Sequence, residues 1–300
     1  MGKAEFIEVI KNRGIACSLN EPMKNHTTFK IGGNADVFLL PGSENELIFS
    51  VSEAKKADIP YYVIGKGSDL LVSDRGIEGA VICLEKMQGI NIRENTVTVL
   101  AGQSMASLCS CVQKAGLSGL EFAYGIPGSV GGAIYMNAGA YGGEIKDCIV
   151  SARYLTKDGV VADIKASDMG LSYRKSIFQE NGGIILSAVF ELETCEPSEI
   201  YNRMEDYISR RKTKQPLEFP SAGSVFRRPE GNFAGTLIEK SGLKGERVGG
   251  AMVSKKHAGF IVNTGGATSE DVKCLIEKIQ KKVLCDSGIN LQTEVIFIGR

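Results

Sequence analysis

The sequence holds only two histidines, His26 and His257, which leaves little material for a histidine-based metal site or an acyl-transfer triad. It also has no excess of charge of either sign: 35 basic residues stand against 35 acidic ones. Surfaces built for nucleic acid or an anionic membrane carry a basic excess, so any anion site here has to be local. No window reaches the roughly 18 consecutive apolar residues that a membrane span requires. The start, MGKAEFIEVIKNRG, is amphipathic and charged and lacks the apolar stretch of a signal peptide, so a cytoplasmic protein is expected. No CxxC pair occurs among the cysteines at 17, 83, 109, 111, 148, 195, 274 and 285, so buried, reduced thiols and no metal site are expected. Both histidines read as exposed or hydrogen-bonded rings. Long linkers, low-complexity tracts and internal repeats are missing too.

What is present is globular. With 300 residues, 43% apolar and 23% charged, the chain can bury a substantial core, and at ~150 residues per domain it suggests two domains. Ser43 and Glu46 have capping-box spacing ahead of Leu47, Val51 and Ala54 at helical period, which predicts a helix to about Asp58. Tyr61–Ile64 reads as a short buried strand, and Val81–Leu84 and Thr96–Leu100 as further strands. A helix from about Ser104 to Lys114, closed by Gly116, carries Leu108, Cys111, Val112 and Ala115 on a core face. Asp158-Gly159 supplies a positive-φ turn for a hairpin over Ile149–Ile164, and Ile184–Leu192 is a strand of the buried kind.

Composition shifts near Ser198, where Ser198–Lys214 makes a charged helix with Tyr201, Met204, Tyr207 and Ile208 on one stripe. A second long helix is predicted over Ser269–Cys285, with Val272, Leu275, Ile276, Ile279 and Val283 apolar, and a terminal strand over Leu291–Ile298. The predicted class is α+β. Its first domain spans residues 1–200, in two subdomains of about 1–80 and 81–200 completed by the terminal strand at 291–300; the second spans 201–290.

Thirty-six glycines exceed what ordinary turns need, and they cluster. One run is Gly65-Lys66-Gly67-Ser68, leading into Asp69 and Leu70; the other is Gly125-Ile126-Pro127-Gly128-Ser129-Val130-Gly131-Gly132, leading through Ala133 to Asn137 and Gly139. Backbone N–H groups in such runs can approach a phosphate without Cβ obstruction. The first run is not a Rossmann fingerprint, because Leu70 stands where a third glycine belongs, and it is not a P-loop. One such loop alone reads equally as a tight turn. Two, each after a buried apolar segment, fit a pyrophosphate held between them.

Asn25–Gly33, the Gly65–Val72 loop and Gly125–Gly142 resemble, in order and spacing, the FAD-binding segments of the UDP-N-acetylenolpyruvoylglucosamine reductase (MurB) family. Ser172–Phe178, Pro220–Phe226 and Glu294–Gly299 resemble that family's three catalytic segments. Six segments in one order cover residues from about 20 to 300. The tyrosine-bearing insertion of the longer type is not evident, so the chain resembles the shorter type. The resemblance implies a PCMH or vanillyl-alcohol-oxidase-type FAD fold with a C-terminal α+β substrate domain. FAD is implied as cofactor, NADPH as co-substrate, and a UDP-sugar enolpyruvyl ether as substrate. The loop from Gly125 to Gly142 contains no His or Cys to tether a flavin, so binding is expected to be non-covalent. Two positions depart from the family pattern. Asp69 stands where an amide is usual, and since a carboxylate facing a pyrophosphate is repelled, it is expected to turn to an N–H or hydroxyl. Thr236 stands where many relatives carry Lys.

The implied reaction adds hydride to the β-carbon of an enolpyruvyl ether and pushes charge into a carboxylate that is already negative. A fixed cation and donors are needed. Arg174 supplies a planar charged fork; the competing reading is an exposed loop arginine. Glu294 sits on an apolar strand with Ile296 and Ile298, where a carboxyl can hold its proton and donate it, or else is an edge-strand Glu facing water. Ser224, after Gly223, can protonate the enolate, or is an ordinary turn serine. Tyr173, Lys212 and Arg228 are the substrate-binding candidates, the last two drawn from a basic group that also includes Arg210, Arg211, Lys214 and Arg227 and that reads equally as a solvated helix end. Two rival functions fit less of the pattern: a PCMH-type FAD oxidase of another substrate, and a non-catalytic nucleotide-binding module.

Overall fold

Helices form where caps and apolar period agree. The computed structural model describes residues 2–300; Met1, the first residue of the predicted N-terminal domain, lies outside them. The described residues contain α1 (Lys3–Asn12), α2 (Glu44–Lys56), α3 (Met105–Lys114), α4 (Val130–Tyr135), α5 (Phe178–Asn181), α6 (Pro197–Lys214), α7 (Ala234–Lys240) and α8 (Ser269–Ser287). At α2 the Ser43 hydroxyl accepts from the Glu46 N–H at 3.2 Å, while the Glu46 carboxylate accepts from Gly42 at 2.7 Å, one residue outside the predicted box. A reciprocal box opens α8, Thr268 and Asp271 each accepting the other's N–H at 3.0 Å.

All five predicted apolar positions of α8 are buried. That stripe sends Cys274 and Cys285 to the opposite face, where they are exposed, contrary to the expectation of buried thiols; all eight cysteines are free. On α3 the buried face is Met105, Leu108, Cys109 and Val112, with Cys111 only half-buried. The stripe on α6 also differs from prediction: Ile200 and Met204 are buried while Tyr201 is 51% exposed. A one-residue offset turns a helix face by about 100°.

The sheets are mostly antiparallel. A five-stranded sheet runs in the order Val161–Lys165, Ile149–Leu155, Ile184–Glu191, Thr96–Leu100, Ile90–Arg93. Its first pair is the predicted hairpin, with Gly159 at φ +88° in the turn. A four-stranded sheet has the order Ala16–Pro22, Asn34–Leu40, Ile77–Cys83, Tyr61–Ile64. Of the last strand, expected to be buried, only Ile64 is; Tyr62 is exposed because it lies on the edge. Ala251–Val253 centres a three-stranded sheet between Arg247–Val248 and Ile261–Asn263.

The predicted terminal strand is shorter, Ile296–Ile298, and pairs in parallel with Leu70–Val72. Its first half is taken up otherwise: the Glu294 N–H donates to Val225 O at 2.8 Å and the Arg227 N–H to Gln292 O at 2.9 Å.

Two compact units each have their own core. One comprises the chain to Leu19, Val37–Lys66 and Gly79–Arg211. The other comprises Asn20–Asp36, Gly67–Glu78 and Lys212–Arg300. The first core includes Phe6, Phe178 and Phe190; the second includes Phe29, Leu71, Phe226 and the α8 stripe. The division expected from the sequence, residues 1–200 with 291–300 against 201–290, is a different partition of the chain. Short segments distant in sequence join the C-terminal part through pairings such as Leu70–Val72 with Ile296–Ile298, which local pattern does not encode.

Candidate active site

In the first unit the start of the first glycine-rich run, Gly65, meets the second run at Ser129. Gly65 ends the strand Tyr61–Ile64, and a Cβ placed on it would lie 2.0 Å from Ser129 Oγ. Only glycine permits that approach. Ser129 is the N-cap of α4, its hydroxyl accepting from the Gly132 N–H at 3.4 Å. We predict that Gly65→Ala destabilises the fold by about 1–3 kcal/mol through overpacking. Ser129→Gly, which costs a cap only a few tenths of a kcal/mol, should restore part of the loss. Urea unfolding of the single and double variants measures this, and full additivity would show that the contact is not the cause.

The second run divides into two kinds of residue. The Gly131 N–H donates to Ala101 O at 2.8 Å, and a Cβ at 131 would meet Ala101 Cβ at 3.0 Å. Its amide is therefore engaged, and the residue packs closely on Ala101. Asn137 is engaged likewise. It has no exposed surface, and its amide nitrogen donates to Glu144 Oε2 at 2.9 Å and Ser172 O at 3.0 Å, while Oδ1 accepts from the Lys146 N–H at 2.9 Å. Ala133 is buried too, its N–H donating to Ser129 O at 2.9 Å. Pro127 and Gly132 are exposed, and Gly125, Ile126, Gly128 and Gly139 are half-buried.

What Asn137 fastens is the turn that carries Arg174. Ser172 and Lys175 bond each other's backbone at 3.1 and 3.2 Å, leaving Tyr173 and Arg174 at the tip. Arg174 sits at φ +54°, a conformation that costs a branched-out side chain of order 1 kcal/mol and persists only where neighbours enforce it. They do: Gln179 Nε2 donates to Arg174 O at 3.2 Å, Arg174 Nη2 donates to Gly139 O at 3.3 Å, and the guanidinium lies 5.0 Å over the Tyr173 ring. Asn137 and Tyr141, at φ +40° and +54°, are strained in the loop that Arg174 grips. Glu144 lies below the usual carboxylate range, chiefly through its bond to Lys146.

In the second unit, Ser224 and Glu294 flank one backbone pairing. Ser224 bridges Phe260, the Val225 N–H donates to Gly259 O at 2.9 Å, and Val225 O receives the Glu294 N–H. The half-buried His257 is a neighbour that sequence reasoning set aside. A Cβ on Gly259 would lie 3.0 Å from His257 Cε1 and 3.3 Å from Ser224 Oγ, so the ring and the hydroxyl both border the space that a side chain there would take. The Gly259 N–H donates to His257 Nδ1 at 3.1 Å, which places the neutral ring's proton on Nε2, and burial lowers the imidazole's pKa. Thr28 ties the Asn25–Gly33 segment in: its N–H donates to Gly67 O at 3.1 Å and its hydroxyl to Ser221 O at 2.7 Å. Asp69 accepts the Ile296 N–H on its backbone carbonyl at 2.9 Å. Lys66 is exposed, and Ser68 and Leu70 are half-buried. Lys212 is exposed with its carbonyl bonded by Lys256, and Arg228 lies 3.9 Å over the exposed Phe233. Thr236 is exposed on α7.

The family model for the FAD binding domain matches residues 35–165. In fold the chain is also similar to alkyldihydroxyacetonephosphate synthase, with a TM-score of 0.51 at 20% identity over 65% of this chain and 41% of that one. Apposed glycine loops on such a scaffold define an α+β protein with the PCMH-type FAD-binding fold. Residues 215–298 match the C-terminal domain of UDP-N-acetylenolpyruvoylglucosamine reductase. The reductase of Clostridium botulinum strain Hall is 47% identical over 98% of this chain and 96% of its own length. That of Syntrophomonas wolfei is 49% identical over 94% of each. The crystal structure of the Thermus caldophilus enzyme superposes with a TM-score of 0.81 at 34% identity, covering 94% of this chain and 98% of that one. The chain belongs to the UDP-N-acetylenolpyruvoylglucosamine reductase (MurB) family, in its shorter type, and is an FAD-dependent oxidoreductase. Among the described residues no helix is long and apolar enough to cross a membrane.

Proposed function

We propose that the chain reduces UDP-N-acetylenolpyruvoylglucosamine to UDP-N-acetylmuramate at the expense of NADPH, in the cytoplasm, as a step of peptidoglycan precursor synthesis. The observation that carries this reading is the strained turn holding Arg174 at φ +54°. A fold keeps such a conformation where a side chain has to be aimed. Bound FAD supplies the two-electron relay between NADPH and the enolpyruvyl group.

The chain's own residues do the rest. The Arg174 fork holds the substrate carboxylate and counters the charge that builds there as the β-carbon is reduced. Ser224 Oγ gives its proton to the α-carbon, with Glu294 as the third catalytic group. Residues 65–70 together with Gly125, Ile126, Pro127, Gly128, Ser129, Gly131, Gly132, Ala133, Asn137 and Gly139 hold FAD; Tyr173, Lys212 and Arg228 take the UDP-sugar. In this reading the flavin part is 1–200 with 291–300, and 201–290 is the substrate domain; the family match at 215–298 supports a C-terminal domain there and takes in residues 291–298 as well.

The purified protein should turn over NADPH continuously only when the enolpyruvyl nucleotide is present, with UDP-N-acetylmuramate appearing in equal amount. A reduced enzyme that passes its electrons to oxygen and ignores the nucleotide would instead be a PCMH-type oxidase. The flavin is held without a covalent bond: the Gly125–Gly142 loop has no His or Cys, and His26, the other candidate, is bonded to Glu21 at 2.9 Å. Acid precipitation should leave all the yellow colour in the supernatant, and colour kept in the washed pellet would contradict this.

A further inference from the structure

The basic run at the end of α6 is not uniform. Arg210 is neutralised by Asp206 one turn back, at 2.8 Å, and Lys212 and Lys214 are exposed. Arg211 differs from all of these. Its side chain lies on Gly125, with Cδ 3.0 Å and Nη1 3.5 Å from where a Cβ would stand. Burial pushes its pKa below the ordinary guanidinium value, and among the described residues Tyr141 is the group whose charge would favour it. No carboxylate there pairs with it. An unpaired, partly desolvated guanidinium is unfavourable, and folds retain one where an anion completes it.

Its surroundings suit a nucleotide. Tyr207 and Ile208, one turn earlier on α6, share its face. Ile208 Cδ1 is 3.1 Å from the same Gly125 position, and the Tyr207 ring stacks on Tyr141 at 4.6 Å and 4°. Tyr141 is itself held at φ +54°. A cation, the glycine loop it lies on and an aromatic pair thus occupy one corner of the first unit.

We propose that Arg211 is an anion-binding residue whose guanidinium takes phosphate oxygens of a nucleotide seated over Gly125, the fork bonding two oxygens at once. This rests on the reading of the chain as an FAD-dependent reductase of a UDP-sugar. Both FAD and that substrate bring a diphosphate, and the experiment separates them.

Arg211→Gln removes the charge and Arg211→Lys keeps it while losing the fork. For each holoenzyme, FAD dissociation is measured by ultrafiltration, and KM is measured for NADPH and for the enolpyruvyl nucleotide. The Gln variant should weaken one ligand by ~10-fold or more, with Lys intermediate and the loss falling mainly on Kd or KM. The affected constant should also lose much of its dependence on salt. Weakened FAD assigns the flavin diphosphate; a raised KM for the nucleotide with FAD retained assigns the substrate's. All three constants within ~2-fold of wild type in folded variants would overturn the proposal. If the Gln variant does not fold, the Lys variant decides alone, since a structural cation is satisfied by either residue and a bidentate contact is not. A wild-type protein without flavin or without reductase activity would sink the reductase reading itself, a different result.

Discussion

With alanine in place of Ser224, NADPH should still bleach the flavin at close to the wild-type rate, while reoxidation by the enolpyruvyl nucleotide falls by more than ~10²-fold. The asymmetry follows from where a proton is needed. No enolate forms when NADPH reduces the enzyme, so the Ser224 hydroxyl has nothing to protonate in that half. In the other half a stranded enolate returns its hydride, so the loss can exceed the ~10²- to 10⁴-fold usual for a missing general acid. Serine needs no lowered pKa for this task, because an enolate is the stronger base. Ser224→Cys, small and more acidic, should recover part of the rate. Stopped-flow absorbance with each substrate in turn measures the halves separately. Equal slowing of both would mean that Ser224 shapes the site, and the proton would have to come from elsewhere, His257 at Gly259 being one neighbour to test.

Arg174→Lys should slow reduction of the enolpyruvyl substrate by at least ~10-fold, about 1.4 kcal/mol in barrier. Lysine keeps the charge and loses the planar fork that meets both carboxylate oxygens. It also loses the supports seen around the guanidinium, the Gly139 carbonyl at 3.3 Å and the Tyr173 face at 5.0 Å. The strained φ of +54° is unchanged by the substitution, so the backbone contributes equally in both proteins and the difference reports the head group. Single-turnover reoxidation of the reduced enzyme is the measurement, and near wild-type turnover would remove Arg174 from the mechanism.

Much of this was legible along the chain. Capping and period placed α2, α3 and α8, and Asp158-Gly159 placed the hairpin, because those signals act over a few residues. The order of the six motif segments was enough to imply the family. Local signals do not show which neighbour from elsewhere takes a group: the Gly131 N–H donates to Ala101 O and the Asn137 amide nitrogen to Ser172 O. Arg211 could not be singled out from Arg210, since two adjacent arginines differ only in what stands opposite them.

The sequence by itself determined the elements, the glycine-rich loops, the residue types available for catalysis and the absence of a charge excess, because each depends on identity and spacing alone. The tertiary structure decided which of those residues are free to act. It set Gly65 against Ser129, strained Arg174 across Gly139, put Ser224 beside His257 and left Arg211 uncompensated over Gly125. These are contacts between segments tens of residues apart or more, and an amide or a charge carries no mark in sequence of the partner that will satisfy it.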